Sequence, residues 1–108
     1  MIIRNFVANI ANAATTSNAI ELGNATVVGM YIPAAFTGTA ITFTACTTAT
    51  GTFAPLKDGA GVAISKTVAA GDYVYLDPVI FAGIAFIKLV SGSSEGAARE
   101  ITVVARIV

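Results

Sequence analysis

Short runs in which apolar and polar residues alternate, cut at close intervals by turn formers, set the pattern of this chain. In residues 40–46, Ile41 and Phe43 point one way and Thr42 and Thr44 the other. In 26–32, Val28, Met30 and Ile32 share a face; in 85–90, Ile87 and Leu89 oppose Phe86 and Lys88. A period of two sends alternate side chains to opposite faces of a strand, so each run predicts a strand with one face on a core. The closing run, 100–108, is apolar on both faces. Ile101, Val103, Ala105 and Ile107 line one, while Val104 and Val108 join Thr102 and Arg106 on the other. Such a strand is expected either in the middle of a sheet or beneath a neighbouring subunit.

Gly, Asn, Asp, Ser and Thr punctuate the chain at 15–18, 23–24, 37–38, 50–51, 58–59, 71–72, 83 and 91–96. Many short runs of Val, Ile, Thr and aromatics at this spacing predict an all-β fold, a two-sheet antiparallel β-sandwich. Asp58-Gly59 predicts a hairpin joining 53–56 to 62–65, because both residues tolerate positive φ. One short helical turn is expected near 77–82, with Asp77 as cap, Pro78 at the first helical position and Gly83 as terminator. Residues 1–12 alternate poorly and lead into the small-residue run 13–18. They predict either a first strand or an extended arm reaching onto a neighbour. Neither an internal repeat nor a linker divides the 108 residues, so a single domain spanning 1–108 is expected.

Composition sharpens this picture. Apolar residues make up 56% of the chain and charged residues 11%; mean hydropathy is +0.80. The longest apolar run, 79–87, is far shorter than the roughly 20 residues of a membrane helix, so no membrane span is expected. A short chain this poor in charge has little self-repulsion and is expected to hide part of its surface against copies of itself or a larger partner. A closed homo-oligomer, dimer or trimer, is the simplest form of that. Six basic residues balance six acidic ones, and no two Lys or Arg are adjacent, so nucleic acid is not an expected partner. The first ten residues include Arg4 and Asn5 where a signal peptide has an unbroken apolar core, and synthesis in a cytoplasm is expected.

The chemistry-bearing residues are few. The chain has no histidine, which removes Ser-His and Cys-His nucleophile pairs and imidazole metal ligands. Cys46 is the only cysteine, so it has no internal disulfide partner and reads as a small apolar strand residue. Asp58, Asp72 and Asp77 fit turn and cap positions better than a calcium loop, which needs six to eight oxygens. No enzyme activity, metal or cofactor is expected. The candidate contact residues are different in kind. Tyr73 and Tyr75, two apart on one strand face, suit stacking on a sugar or anchoring a protein interface. Arg99 and Arg106 are surface charges or partners for a neighbour's carboxylate. Ile2, Ile3, Arg4 and Phe6 of the N-terminal stretch, and Glu95 with Arg99 in the 91–99 loop, complete the set.

From Gly71 the chain reads Gly-Asp-Tyr-Val-Tyr-Leu-Asp-Pro, then Phe81, Gly83, Lys88, Ser91-Gly92, and Gly96-Ala97-Ala98-Arg99 before an apolar last strand. This resembles a family of small proteins encoded in the structural gene clusters of tailed bacteriophages. The segments 20–23, 28–33 with Phe36, and the strand ending near Thr47 are also similar, so the resemblance runs from about Ala19 to the end. The 91–96 loop is shorter than in many of those relatives. The resemblance implies a jelly-roll-like sandwich acting as a capsid cement or decoration protein. Its partner would be the major capsid protein and its location the capsid exterior. The alternative expectation is a carbohydrate-binding sandwich module of a phage tail or host-attachment apparatus, since jelly rolls serve lectins as well as capsids.

Overall fold

A computed structural model describes residues 2–107. Nine strands, β1 (Ile2–Ile10), β2 (Ile20–Glu21), β3 (Thr26–Tyr31), β4 (Ala40–Cys46), β5 (Ala54–Pro55), β6 (Ser65–Thr67), β7 (Tyr73–Tyr75), β8 (Phe86–Ser91) and β9 (Arg99–Ile107), and one helix, α1 (Pro78–Phe81), follow in chain order. One sheet has the order β1-β9-β3-β7 and the other β2-β8-β4-β5, with β6 also on β4; every pairing is antiparallel. Apart from the β4–β5–β6 stretch, each connection carries the chain to the opposite sheet. That is the double Greek-key path of a jelly roll. The expected all-β, two-sheet antiparallel sandwich with one short helical turn is the fold observed.

The alternating runs pack as their period requires. Ile41 and Phe43 from β4, and Ile87 and Leu89 from β8, meet Ala8, Ile10, Ile101 and Val103 of the first sheet in one buried cluster. Phe81 of α1 plugs one end, its ring edge-on to Phe43 at 5.1 Å and 79°. Asp77 caps α1 by accepting from the Val79 N–H at 3.0 Å, Pro78 opens it, and Gly83 follows it at φ 83°. The doubly apolar last run is central: β9 lies between β1 and β3. Val108 lies outside the described residues. Residues 2–10 form a strand paired along its length with β9.

Two local expectations are corrected. Val28 does not share the core face with Met30 and Ile32. The β3–β9 register jumps from Val27–Ala105 to Gly29–Val104, so Val28 is the extra residue of a bulge. Val27 and Met30 therefore both point inward, while Val28 is half-buried. The second concerns the turn of the hairpin. The hairpin itself forms: the Ile64 N–H donates to the Leu56 carbonyl and the Asp58 N–H to the Val62 carbonyl, both at 2.9 Å, while its flanks also pair with β4, β5 at Thr44–Ala45 and β6 at Ala40–Thr42. Residues 57–63 form a small excursion closed by the Lys57–Ala63 bridge. The left-handed residue there is Gly61, φ 82°, not Gly59; Asp58 Oδ1 accepts from the Ala60 and Val62 N–H groups. The edge of β4 needs main-chain partners, and Leu56 and Ile64 reach the core only from this path.

Ala13 is the one non-glycine residue described with a left-handed backbone, φ 64°. Its N–H reaches the Glu95 carbonyl at 2.9 Å, which holds it there. For an L-residue this conformation costs about 1–2 kcal/mol. Ala13→Gly is expected to raise stability by about 0.5 kcal/mol, once the extra freedom of glycine in the unfolded chain is subtracted. Urea denaturation checks this, and a loss of stability would contradict it.

Candidate functional site

The outward face of the β1-β9-β3-β7 sheet concentrates the exposed apolar surface. Strand parity puts Ile3 and Val7 of β1, Thr102 and Val104 of β9, Gly29 and Tyr31 of β3, and Tyr73 and Tyr75 of β7 on this one face. Ile3, Val7, Tyr31, Tyr73 and Tyr75 are five of the eight large hydrophobic side chains exposed among the described residues. They run from 46% exposed at Tyr31 to 70% at Tyr75. A water-facing sheet face normally carries polar residues; here Asn5, Thr26, Thr102 and Arg106 share the face with these exposed apolar and aromatic side chains.

Gly29 shapes the aromatic end. It sits opposite Tyr75, and the Tyr73 ring lies across it, so a Cβ at Gly29 would come 3.1 Å from that ring. A glycine in a strand interior marks such close approaches. Tyr31 and Tyr73 are cross-strand partners, ring centroids 6.5 Å apart and planes tilted 41°. Three exposed tyrosines thus share one end of the face, each with an apolar ring and a polar hydroxyl to offer a partner. Arg106 borders the opposite end beside Ile3 and Thr26; its Nε is buried and finds no partner among the described residues.

Tyr73, Tyr75 and Ile3 therefore share one face, as strand parity predicts for the tyrosines. Ile2, Arg4 and Phe6 lie on the other side of β1, in line with the core residues Ala8 and Ile10. Phe6 is half-buried against the core, Ile2 and Arg4 are exposed, and the Arg4 guanidinium sits 5.2 Å from the Phe6 ring centroid. Tyr31 was not among the expected contact residues. Its parity opposite Met30 was a usable signal, but nothing in the sequence says that β3 lies beside β7.

Glu95 and Arg99 are placed elsewhere. Glu95 is only 2% exposed. Its carboxylate accepts from the Thr37 N–H at 2.9 Å, the Thr37 hydroxyl at 2.8 Å and Arg99 Nε at 3.0 Å. Its carbonyl holds Ala13. The two side chains are thus committed to tying the 91–99 loop to Thr37, while the Glu95 main chain ties it to Ala13. Burial pushes the Glu95 carboxyl upward, but the Thr37 N–H, the Arg99 guanidinium and the Thr37 hydroxyl outweigh it and hold the carboxyl below its ordinary value.

Two shallow depressions lie side by side at the end near Gly83. One of about 200 Å³ is lined by Gly23, Asn24, Thr26 and Ile84, the other of about 180 Å³ by Cys46, Thr47 and Ile84. Neither is lined by a charged side chain, and both are smaller than the roughly 300–1,000 Å³ of small-molecule sites. The Asp58, Asp72 and Asp77 carboxylates accept main-chain N–H groups of their own turns. Among the described residues no three His, Cys, Asp or Glu side chains gather.

The chain superposes on the crystal structure of the SPBc2 prophage-derived protein YomS with a TM-score of 0.58. The match covers 98% of this chain and 96% of that one, at 18% sequence identity. The likeness is one of fold. No protein-family model and no curated protein sequence matches the chain.

Proposed function

We propose that this protein is a structural component of a tailed-phage particle. In this reading it is a cement or decoration protein, made in the host cytoplasm, that lies on the outside of the major capsid lattice and stabilises the head. The observation that carries the reading is the exposed apolar and aromatic side chains Ile3, Val7, Tyr31, Tyr73 and Tyr75 gathered on one sheet face. An exposed sheet face suits another protein surface, whereas small molecules take concave sites. Tyrosine is among the residues that most often dominate binding energy at such interfaces. The jelly-roll path, the resemblance to phage structural proteins and the prophage origin of YomS support the same reading. Its mechanism is burial of this face across capsid subunits, at about 25 cal/mol per Å² of apolar area less the costs of association, repeated over the lattice. No catalytic step or cofactor enters.

Copy number in purified virions, measured by quantitative mass spectrometry against the major capsid protein, tests this. A ratio near one per capsid subunit, or a simple fraction of it, is the expected result. A handful of copies per particle, or none, overturns the lattice role. In the same system the Tyr31→Ala/Tyr73→Ala double variant is expected to bind heads roughly 10- to 100-fold more weakly, since buried aromatics are common hot spots. Its own stability is expected to change little, because both side chains are exposed.

The Tyr31–Tyr73 pair also favours a second reading, a sugar-binding module of the tail or attachment apparatus, because tilted tyrosines at 6.5 Å offer a stacking platform. A glycan array decides it: saturable binding lost in Tyr73→Ala supports it, and silence across the array removes it.

A further inference from the structure

We infer that β1 is a dimerisation edge, on which a second copy of this chain adds its own β1 antiparallel across a two-fold axis at Asn5. The inference gives a geometry to the oligomer expected of this protein and does not depend on the capsid reading.

The first argument is that β1 is long and unprotected. Among the described residues it borders its sheet with β9 as its one strand neighbour, and it runs nine residues. The other bordering strands, β2, β5, β6 and β7, have two or three residues each. Proteins blunt a long edge with Lys, Pro, a bulge or a covering segment. β1 has no Lys or Pro, its register with β9 is unbroken, and Arg4 is its one charge.

The second argument is the direction of its main-chain groups. At Asn9 both groups point away from β9: the N–H donates to Asn18 Oδ1 at 2.7 Å, and the carbonyl accepts from the Asn18 N–H at 3.3 Å. With a strand period of two, the N–H and C=O groups of Ile3, Asn5 and Val7 face the same open side. Asn18 occupies the edge at Asn9, so the open segment is 2–8 and its midpoint is Asn5.

The third argument is that this segment complements itself. About Asn5, Ile3 meets the second copy's Val7 on the outward face and Asn5 meets Asn5. On the other face Arg4 meets the second copy's Phe6, repeating across the interface the cation–π contact already made within the chain at 5.2 Å. No charge directly faces a like charge, and the net charge of the chain is zero. Antiparallel pairing at residues 3, 5 and 7 would form about six main-chain hydrogen bonds. The product is one continuous eight-stranded sheet. Its Ile3–Val7 strip lies at the centre and a tyrosine patch lies at each end, roughly 34 Å apart at the usual strand spacing.

The test is the solution mass of the purified full chain by sedimentation equilibrium and light scattering. Wild type is expected at twice the 10.9 kDa of the monomer. Asn5→Pro removes a donor that β9 does not use and is tolerated on a strand edge. It is expected to weaken dimerisation by roughly 100-fold or more, while Asn5→Ala stays dimeric. As a second readout, Asn5→Cys in a Cys46→Ser background is expected to oxidise to a 5–5 cross-linked dimer. Facing residues lie about 5.5 Å apart at Cα, within disulfide range. A monomeric wild type overturns the inference, as does a dimer that survives Asn5→Pro or an Asn5→Cys chain that does not cross-link. A monomer whose head binding is lost in Asn5→Pro overturns it in favour of a capsid strand on this edge. Because mass is read without virions, its outcome is separate from that of the copy-number experiment.

Discussion

Glu95→Ala is expected to destabilise the protein by about 2–4 kcal/mol, because it leaves Arg99 and two Thr37 donors without their acceptor. The Glu95 side chain is fully buried and that of Arg99 is 17% exposed, so the remaining charge is partly relieved by water and the loss falls below that of a wholly buried pair. The 91–99 loop should loosen from residue 37, since the carboxylate holds both Thr37 groups; the bond from Ala13 goes to the main-chain carbonyl and is kept. Glu95→Gln keeps the shape and loses the charge, and about 1–2 kcal/mol is expected. Its pH dependence identifies the cause. The folded carboxyl titrates below its ordinary value of 4.5, so near that pH the unfolded chain binds more protons than the folded one. The stabilisation is then complete above about pH 4.5 and is lost as pH falls through the lower folded value. Denaturant unfolding of wild type and Glu95→Gln at pH 7, 5 and 3 should show a gap that is widest at pH 7 and narrows as the pH falls below 4.5. A gap independent of pH would mean that Glu95 acts through packing alone.

Phe81→Ala is expected to cost about 3–5 kcal/mol, the usual range for a buried phenylalanine. Phe81 has no exposed surface, and its helix is only four residues long, too short to persist without tertiary contacts. The ring fills the end of the sandwich against Phe43, so its removal opens a cavity and frees the connection between β7 and β8 as well. For a chain of this size each kcal/mol shifts Tm by about 4–8 °C, and a drop of about 15 °C or more should be seen by calorimetry. Phe81→Leu keeps most of the volume and loses the edge-to-face contact, so about 1–1.5 kcal/mol is expected. Equal losses in the two variants would show that the site does not sense volume.

The strands around Ile41–Phe43 and Ile87–Leu89 were legible because alternation is a local property, readable from a single run. The α1 turn was legible for the same reason: Asp77, Pro78 and Gly83 act within one turn. Val28 was misplaced because a bulge depends on the partner strand. The register of β3 against β9, not the β3 sequence, decides which residue is extra. The hairpin after Asp58 was legible from its turn residues, but the pairing of its flanks with β4 was not. A turn signal says that the chain bends, but not which edge the flanking residues will pair with. Tyr31 was missed as a partner of Tyr73 because the two strands lie 42 positions apart in the chain. Glu95 and Arg99 are close enough in sequence to suggest a pair, but the Thr37 groups that draw Glu95 inward are 58 positions away.

The all-β sandwich, the short capped turn, the low charge and the lack of histidine chemistry can be read from residue order alone, because period, turn residues and composition each act locally or in bulk. Which faces and edges remain open is a matter of how the strands assemble. That assembly gathered Ile3, Val7 and three tyrosines on one side of a sheet, drew Glu95 inside, and left 2–8 as a bare edge. Those outcomes depend on strand order and register, which are set by how distant segments bury their apolar sides together.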